Sequence, residues 1–86
     1  METKARVVLY SRPNCHLCEE MKAELSRAGC DDLYELEVID IETEPALVAR
    51  YQYDIPVLSI NGVEAFRHRL RADEFKARLK SIGHTD

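Results

Sequence analysis

Hydrophobic positions along this chain switch between two periods. Arg6-Val7-Val8-Leu9-Tyr10 is a short apolar run rich in β-branched residues, and it predicts a buried strand over about residues 5–10. Ser11-Arg12-Pro13-Asn14 follows with turn chemistry and an N-cap candidate in Asn14. Leu17, Met21, Leu25 and Ala28 then recur at helical spacing until Gly29 stops the pattern, so a first helix is expected from Cys15 to about Ala28. From Leu33 to Ile41 the helical period is gone. Leu36, Val38 and Ile39 stand among Glu35, Glu37 and Asp40, as in a second strand nearer the edge of a sheet.

Thr43 is placed to cap a second helix whose first turn holds Glu44 and Pro45, and Leu47, Val48 and Tyr51 give it one apolar stripe. A helix between strands in this order implies the right-handed βαβ crossover of a parallel pair. Ile55-Pro56-Val57-Leu58-Ser59-Ile60 predicts a third strand with proline at its start, where a missing donor is tolerated. Asn61-Gly62 is a strong hairpin signal, so Val63 to about Arg67 should pair antiparallel to it. Phe75, Leu79 and Ile82 line a terminal helix, with Asp73 and Glu74 in its first turn, Lys80 in its last and Gly83 beyond. The order is βαβαββα, without repeat, low-complexity segment or linker, and residues 1–86 are expected to form one domain.

Composition narrows the partners. With 45% apolar and 33% charged residues the chain should be globular, and a formal net charge of −4 argues against nucleic acid as a partner. No apolar run approaches the roughly 18 residues of a membrane span, and Met1-Glu2-Thr3-Lys4 leads into a strand and not a signal sequence, so no membrane association is expected. Three cysteines, an odd number, do not suggest a secreted disulfide framework; a reducing, cytoplasmic setting fits better. Seven acids and no base fall between Asp31 and Glu44, which reads as a solvated edge that resists edge-to-edge pairing.

The candidate chemistry lies in Cys15-His16-Leu17-Cys18. Two cysteines at i and i+3 share a helical face with Cβ atoms roughly 5–6 Å apart, whereas a disulfide wants about 3.5–4.5 Å. The pair closes only with local adjustment, and the ring is so short that the bond takes little entropy from the unfolded chain. Such a dithiol suits exchange better than reinforcement. Cys15 should sit in the first turn of its helix, where unpaired N–H groups and the positive end of the dipole favour a thiolate. A free thiol with pKa near 8.5 is about 3% ionised at pH 7, and cysteines at helix starts titrate lower. Cys15 is therefore the expected nucleophile, and Cys18, one turn in and more shielded, the resolving thiol.

Other candidates carry less. A protonated His16 beside Cys15 would favour the thiolate and make the disulfide more oxidising. Cys30, at the end of the first helix, reads as a buried thiol outside the chemistry. Arg67-His68-Arg69-Leu70-Arg71 reads as a solvated hairpin edge and helix entry, and Tyr10, Tyr51 and Tyr53 as packing residues with wet hydroxyls. Structural zinc needs four ligands, often on two C-x-x-C knuckles; one knuckle with Cys30 and scattered His16, His68 and His84 does not supply them, so no metal is expected.

A strand ending in Tyr10-Ser11, then Arg12-x-x-Cys15-x-x-Cys18 at a helix start, then an Ile55-Pro56-Val57 strand and an Asn61-Gly62 hairpin, resembles the glutaredoxin-like branch of the thioredoxin superfamily. The likeness runs from about Val7 to Leu79 and is nearest to small glutaredoxin-like proteins with leucine before the second cysteine. It implies an α/β thioredoxin fold, with a four-stranded mixed sheet flanked by three helices, and a redox-active disulfide serving thiol–disulfide exchange and electron transport. Cys15 would be the nucleophile, Cys18 the resolving cysteine, and Pro56 a cis-proline packed against them. Ile55 and Pro56 would form the platform for the substrate backbone, while Arg12, and His16 with it, would tune the thiolate.

The resemblance implies a disulfide-containing protein or glutathione as partner, a monomer, no tightly bound cofactor, and glutathione as a candidate co-substrate. Departures are specific: His16-Leu17 replaces the usual Pro-Tyr, and Phe66-Arg67-His68-Arg69 stands where the family carries a Gly-Gly pair that holds a glutathione carboxylate. The alternative from another class is a binding module, either an iron–sulfur cluster carrier bridging two subunits through Cys15 or a partner-docking thioredoxin-fold domain.

Overall fold

The computed structural model describes residues 4–83, the last two by backbone alone. Its strands are β1 (Ala5–Ser11), β2 (Tyr34–Asp40), β3 (Val57–Ile60) and β4 (Val63–Arg67), and its α-helices are α1 (His16–Ala28), α2 (Pro45–Tyr51) and α3 (Ala72–Gly83). Short 3-10 turns at Asp31–Leu33 and Ile41–Thr43 bracket β2. This is the expected α/β order, and the four strands form one mixed sheet in the order β2-β1-β3-β4. The side chain of Ile82, residues 1–3 and His84 lie outside the described residues.

Strand alternation decides which side of the sheet each helix covers. Ala5, Val7 and Leu9 of β1 face one way and are buried together with Leu58 and Ile60 of β3, Met21, Leu25 and Ala28 of α1, and Phe75 and Leu79 of α3. Tyr34 closes this core by meeting Phe75 edge to face at 5.2 Å. Residues of the opposite parity face the short helix α2: Tyr51, Ile41 and Val57 are buried there, with Tyr10, Leu47, Val48 and Ile55 packed around them. Each fully buried Leu, Val or Phe supplies about 1.5–3 kcal/mol, so the larger cluster dominates the stability of the fold.

β2 lies at the sheet edge as its composition suggests, and Leu36 and Val38 remain exposed there. The crossover rule holds for β1 and β2, which run parallel with α1 between them (Val7 opposite Leu36, Leu9 opposite Val38). It fails for α2: β3 lies next to β1, not β2, and runs antiparallel (Leu9 opposite Leu58). The reason is length. Seven helical residues rise about 10 Å, under half the ~23 Å of a seven-residue strand, so α2 cannot return the chain along the sheet. The polypeptide re-enters at the end it left, with Val57 opposite Tyr10.

Boundaries shifted in physically readable ways. Thr43 does not cap α2: Glu44 holds that position, and the Thr43 hydroxyl donates to the Asp40 carbonyl at 2.8 Å within the preceding turn. β3 starts at Val57, after the proline, and Gly83 ends α3 instead of lying beyond it. The hairpin matches its sequence signal: Asn61 and Gly62 have φ of 53° and 84°, the positive pair a two-residue turn requires. Among the described residues, no helix is long and apolar enough to cross a membrane.

Candidate active site

The linker from β1 to α1 places the two cysteines. Pro13 and Asn14 are exposed, and Asn14 turns the chain with φ of 59°, a left-handed conformation that asparagine tolerates. Asn14 therefore does not cap the helix. Cys15 does: its backbone is extended (φ −101°, ψ 108°) and its Sγ accepts from the Cys18 amide at 3.1 Å, where a cap oxygen normally accepts. The Cys15 carbonyl accepts the Glu19 amide at 3.1 Å and begins the helical ladder.

That one-residue displacement from the expected first turn is the adjustment the pair needs. With Cys15 extended and Cys18 helical, their Cα atoms lie 5.2 Å apart and their sulfurs are joined as a disulfide. Exposure separates the two: Cys15 is half-buried, while Cys18 is only 1% exposed.

The residues expected around the pair are placed differently from one another. His16 is turned into solvent, where its Nε2 meets Glu20 Oε2 at 2.8 Å one helical turn on. Arg12 reaches across to the end of α2 and donates from Nη2 to the Gln52 carbonyl at 3.2 Å; its Nε is buried without an acceptor. Among the described residues, neither Arg12 nor His16 donates to Cys15 Sγ. The Ile55–Pro56 peptide bond is cis, with Pro56 fully buried and Ile55 half-buried. This segment enters β3 at the same end of the sheet from which β1 leaves toward Cys15.

Asp54 and the Pro56 carbonyl are held from the far side. The Arg67 guanidinium bridges Asp54 at 3.1 Å and Glu64 at 2.6 Å, and the His68 amide donates to the Pro56 carbonyl at 2.7 Å. Arg67 holds the Glu64 carboxyl below its ordinary range through that hydrogen bond. His68 has φ of 70°, and Leu70 is buried in the core, while Arg67, His68, Arg69 and Arg71 stay exposed.

Cys30 is buried at the other end of α1, and burial raises its thiol pKa. The helix from Cys18 to Ala28 spans about 15 Å, which keeps it apart from the pair. Tyr10 and Tyr51 stack at 4.5 Å between centroids, and burial with the neighbouring Tyr51 raises the Tyr10 pKa. Tyr53 departs from its expected packing role: it is 85% exposed, in the turn before Pro56. Among the described residues no cluster of three metal-ligating side chains comes together.

Sequence reasoning missed two contributors. Gln52 acts through its backbone carbonyl, for which side-chain identity gives no signal. Asp54 was overlooked because the position of its partner Arg67 depends on the β3–β4 register, which includes an irregularity at Leu58/Ser59.

Comparison with known proteins gives the same outline. The family described as glutaredoxin-like domain (DUF836) matches residues 6–80. The solution structure of protein Ne2328 from Nitrosomonas europaea is similar at 34% identity, over 91% of this chain and 94% of that one, with a TM-score of 0.75. An X-ray structure of a protein from X. campestris is similar at 25% identity, over 87% and 96% of the two chains, also with a TM-score of 0.75. A mutant thioredoxin from Halobacterium salinarum shares the fold, with a TM-score of 0.70 at 15% identity over 98% of this chain and 79% of its own.

Proposed function

Given that the chain belongs to the glutaredoxin-like (DUF836) family, we propose that it is a dithiol–disulfide oxidoreductase working through Cys15 and Cys18. The observation that carries this reading is the asymmetry of the pair: one sulfur accepts an amide at the helix start and is reachable, the other is sealed one turn further in. The Cys15 thiolate attacks one sulfur of a substrate disulfide; a mixed disulfide forms and the other substrate sulfur leaves as a thiolate, taking a proton from water. Cys18 then loses its proton and attacks the Cys15 sulfur. The Cys15–Cys18 disulfide forms and the second substrate thiolate departs. It takes up the proton that Cys18 released, so two electrons and one proton have passed from the protein, whose Cys15 began ionised, and an external thiol must return the electrons.

Ile55 and Pro56 are the proposed platform for the backbone on either side of the substrate cystine. His16 acts on the thiolate by charge through solvent, since its imidazole is turned to Glu20. The substrate class is a disulfide-containing protein or glutathione, in a cytoplasmic setting and with the protein acting as a monomer. The engagement of Arg67 with Asp54 and Glu64, and of Arg12 with Gln52, favours the protein disulfide, because these cations are already partnered within the chain.

The test is stoichiometric. Pre-reduced protein should consume one equivalent of a small disulfide such as hydroxyethyl disulfide and end with Cys15 and Cys18 bonded, while Cys15→Ser should not react and Cys18→Ser should stop at the mixed disulfide. A brown, dimeric, iron-containing protein without this reaction would replace the proposal with a cluster carrier.

A further inference from the structure

The site is assembled from two segments far apart in sequence, residues 12–18 and residues 52–56. The second is tightly held. The Asp54 and Ile55 amides donate to the Tyr51 carbonyl at 2.8 and 3.1 Å, Arg67 bridges Asp54, and the His68 amide donates to the Pro56 carbonyl. None of these bonds reaches the cysteine loop. Among the described residues, the hydrogen bond from Arg12 Nη2 to the Gln52 carbonyl is the one that joins the two segments.

Arg12 is an unusual choice for a surface charge. Four neighbouring residues of the linker or helix start are exposed (Pro13, Asn14, His16 and Leu17), yet the Arg12 side chain folds inward with Nε sealed from solvent and without an acceptor. A guanidinium serving only to lend charge to Cys15 would do so from solvent, without desolvating a donor. This one donates to a carbonyl 40 residues on and makes no hydrogen bond to the sulfur.

We infer that Arg12 is a positioning residue: it straps the Cys15 loop to the turn that leads into Pro56, and so fixes where an incoming disulfide meets the attacking sulfur. A misplaced approach line costs rate even when the nucleophile itself is unchanged. The strap therefore governs the alignment of attack and leaves the ionisation of Cys15 alone. The rate consequence rests on the oxidoreductase reading; the structural consequence does not.

Arg12→Met keeps an unbranched apolar stem and removes the donors, Arg12→Lys restores one donor and the charge, and Arg12→Gln serves as a second neutral variant. Three quantities are read on the full chain: amide hydrogen exchange at Tyr53, Asp54 and Ile55; the second-order rate of the reduced protein with hydroxyethyl disulfide; and the Cys15 thiolate titration. Both neutral variants should exchange faster in that turn while β1 and β3 amides stay protected. They should react about tenfold more slowly, the effect of losing one charge-assisted hydrogen bond, with the titration in place and with partial recovery in Arg12→Lys. Unchanged exchange in both neutral variants overturns the inference. So does a rate loss matched by an equal rise in the thiolate pKa, which would make Arg12 a charge donor. If the wild-type protein fails to react while exchange accelerates as stated, the strap stands and the oxidoreductase reading falls.

Discussion

Reduced Cys15 should titrate well below an ordinary thiol, and the structure sets the size of the shift. Its sulfur receives the Cys18 amide at 3.1 Å, a bond that strengthens when the acceptor becomes an anion. That gain, together with about 0.3–2 kcal/mol from the positive end of the α1 dipole, gives roughly 1.5–3 kcal/mol in favour of the thiolate. That places the Cys15 transition below the ordinary thiol range. Half-burial of Cys15 works in the opposite direction and keeps the value from falling further. At pH 7 a larger fraction of the sulfur should then be ionised than the ~3% of an ordinary thiol. The Cys18→Ser variant isolates this titration, because it removes the coupled thiol and keeps the backbone amide that caps Cys15. Absorbance in the thiolate band should show one low transition from Cys15, and one above the ordinary thiol value from Cys30, whose pKa burial raises. Unfolding should merge the two. A folded Cys18→Ser protein whose Cys15 ionises at or above the ordinary value would refute the capping argument.

Three further outcomes follow from packing and titration. Phe75→Ala removes the largest fully buried side chain and the edge partner of Tyr34, and should lower stability by about 3–5 kcal/mol in urea titration; a loss under about 1 kcal/mol would mean the cluster around α3 is not the main core. Gly29→Ala places a Cβ at φ of 68°, the left-handed C-cap of α1, and should cost about 1 kcal/mol by the same measurement, with no gain from the added helix propensity. Burial, with the Asp31 charge behind it, raises the Tyr34 pKa to about 12. Its stabilising contribution is therefore whole below the unfolded tyrosine value near 10 and is lost as pH rises toward the folded value, to the extent of about 2–3 kcal/mol. Tyr34→Phe should flatten that alkaline decline, and an unchanged slope would contradict it.

The elements with strong periodicity were legible in the sequence, and so was the cysteine pair they frame. Met21, Leu25 and Ala28 lie in the core where their spacing put them, and Asn61-Gly62 makes the hairpin. Caps were read less well, because several polar residues compete for each helix start and the winner is decided by backbone conformation. Asn14 lost to Cys15 when it took a positive φ, and Thr43 lost to Glu44 when its hydroxyl found Asp40. The direction of β3 depends on how far a seven-residue helix can carry the chain. The Arg12 contact was illegible for another reason, since its acceptor is a carbonyl that every residue possesses.

The displacement of the helix start by one residue ties these points to the chemistry. Had Asn14 capped α1, its side-chain oxygen would have taken the His16 or Leu17 amide, the Cys18 amide would have gone to the Asn14 carbonyl, and both cysteines would have been helical, with Cβ atoms about 5–6 Å apart. The sulfurs would then have been harder to join and the first one less favoured as an anion. With the sulfur itself as the cap, one extended residue brings the pair within disulfide reach and leaves the first thiol accessible while the second is buried. In the proposed reaction the cap would also respond to the redox state. A thiolate accepts the Cys18 amide more strongly than a sulfur engaged in a mixed disulfide, so the bond that stabilises the nucleophile weakens once attack has occurred. The Cys18 segment would thereby be less constrained at the step in which its own sulfur must move onto Cys15.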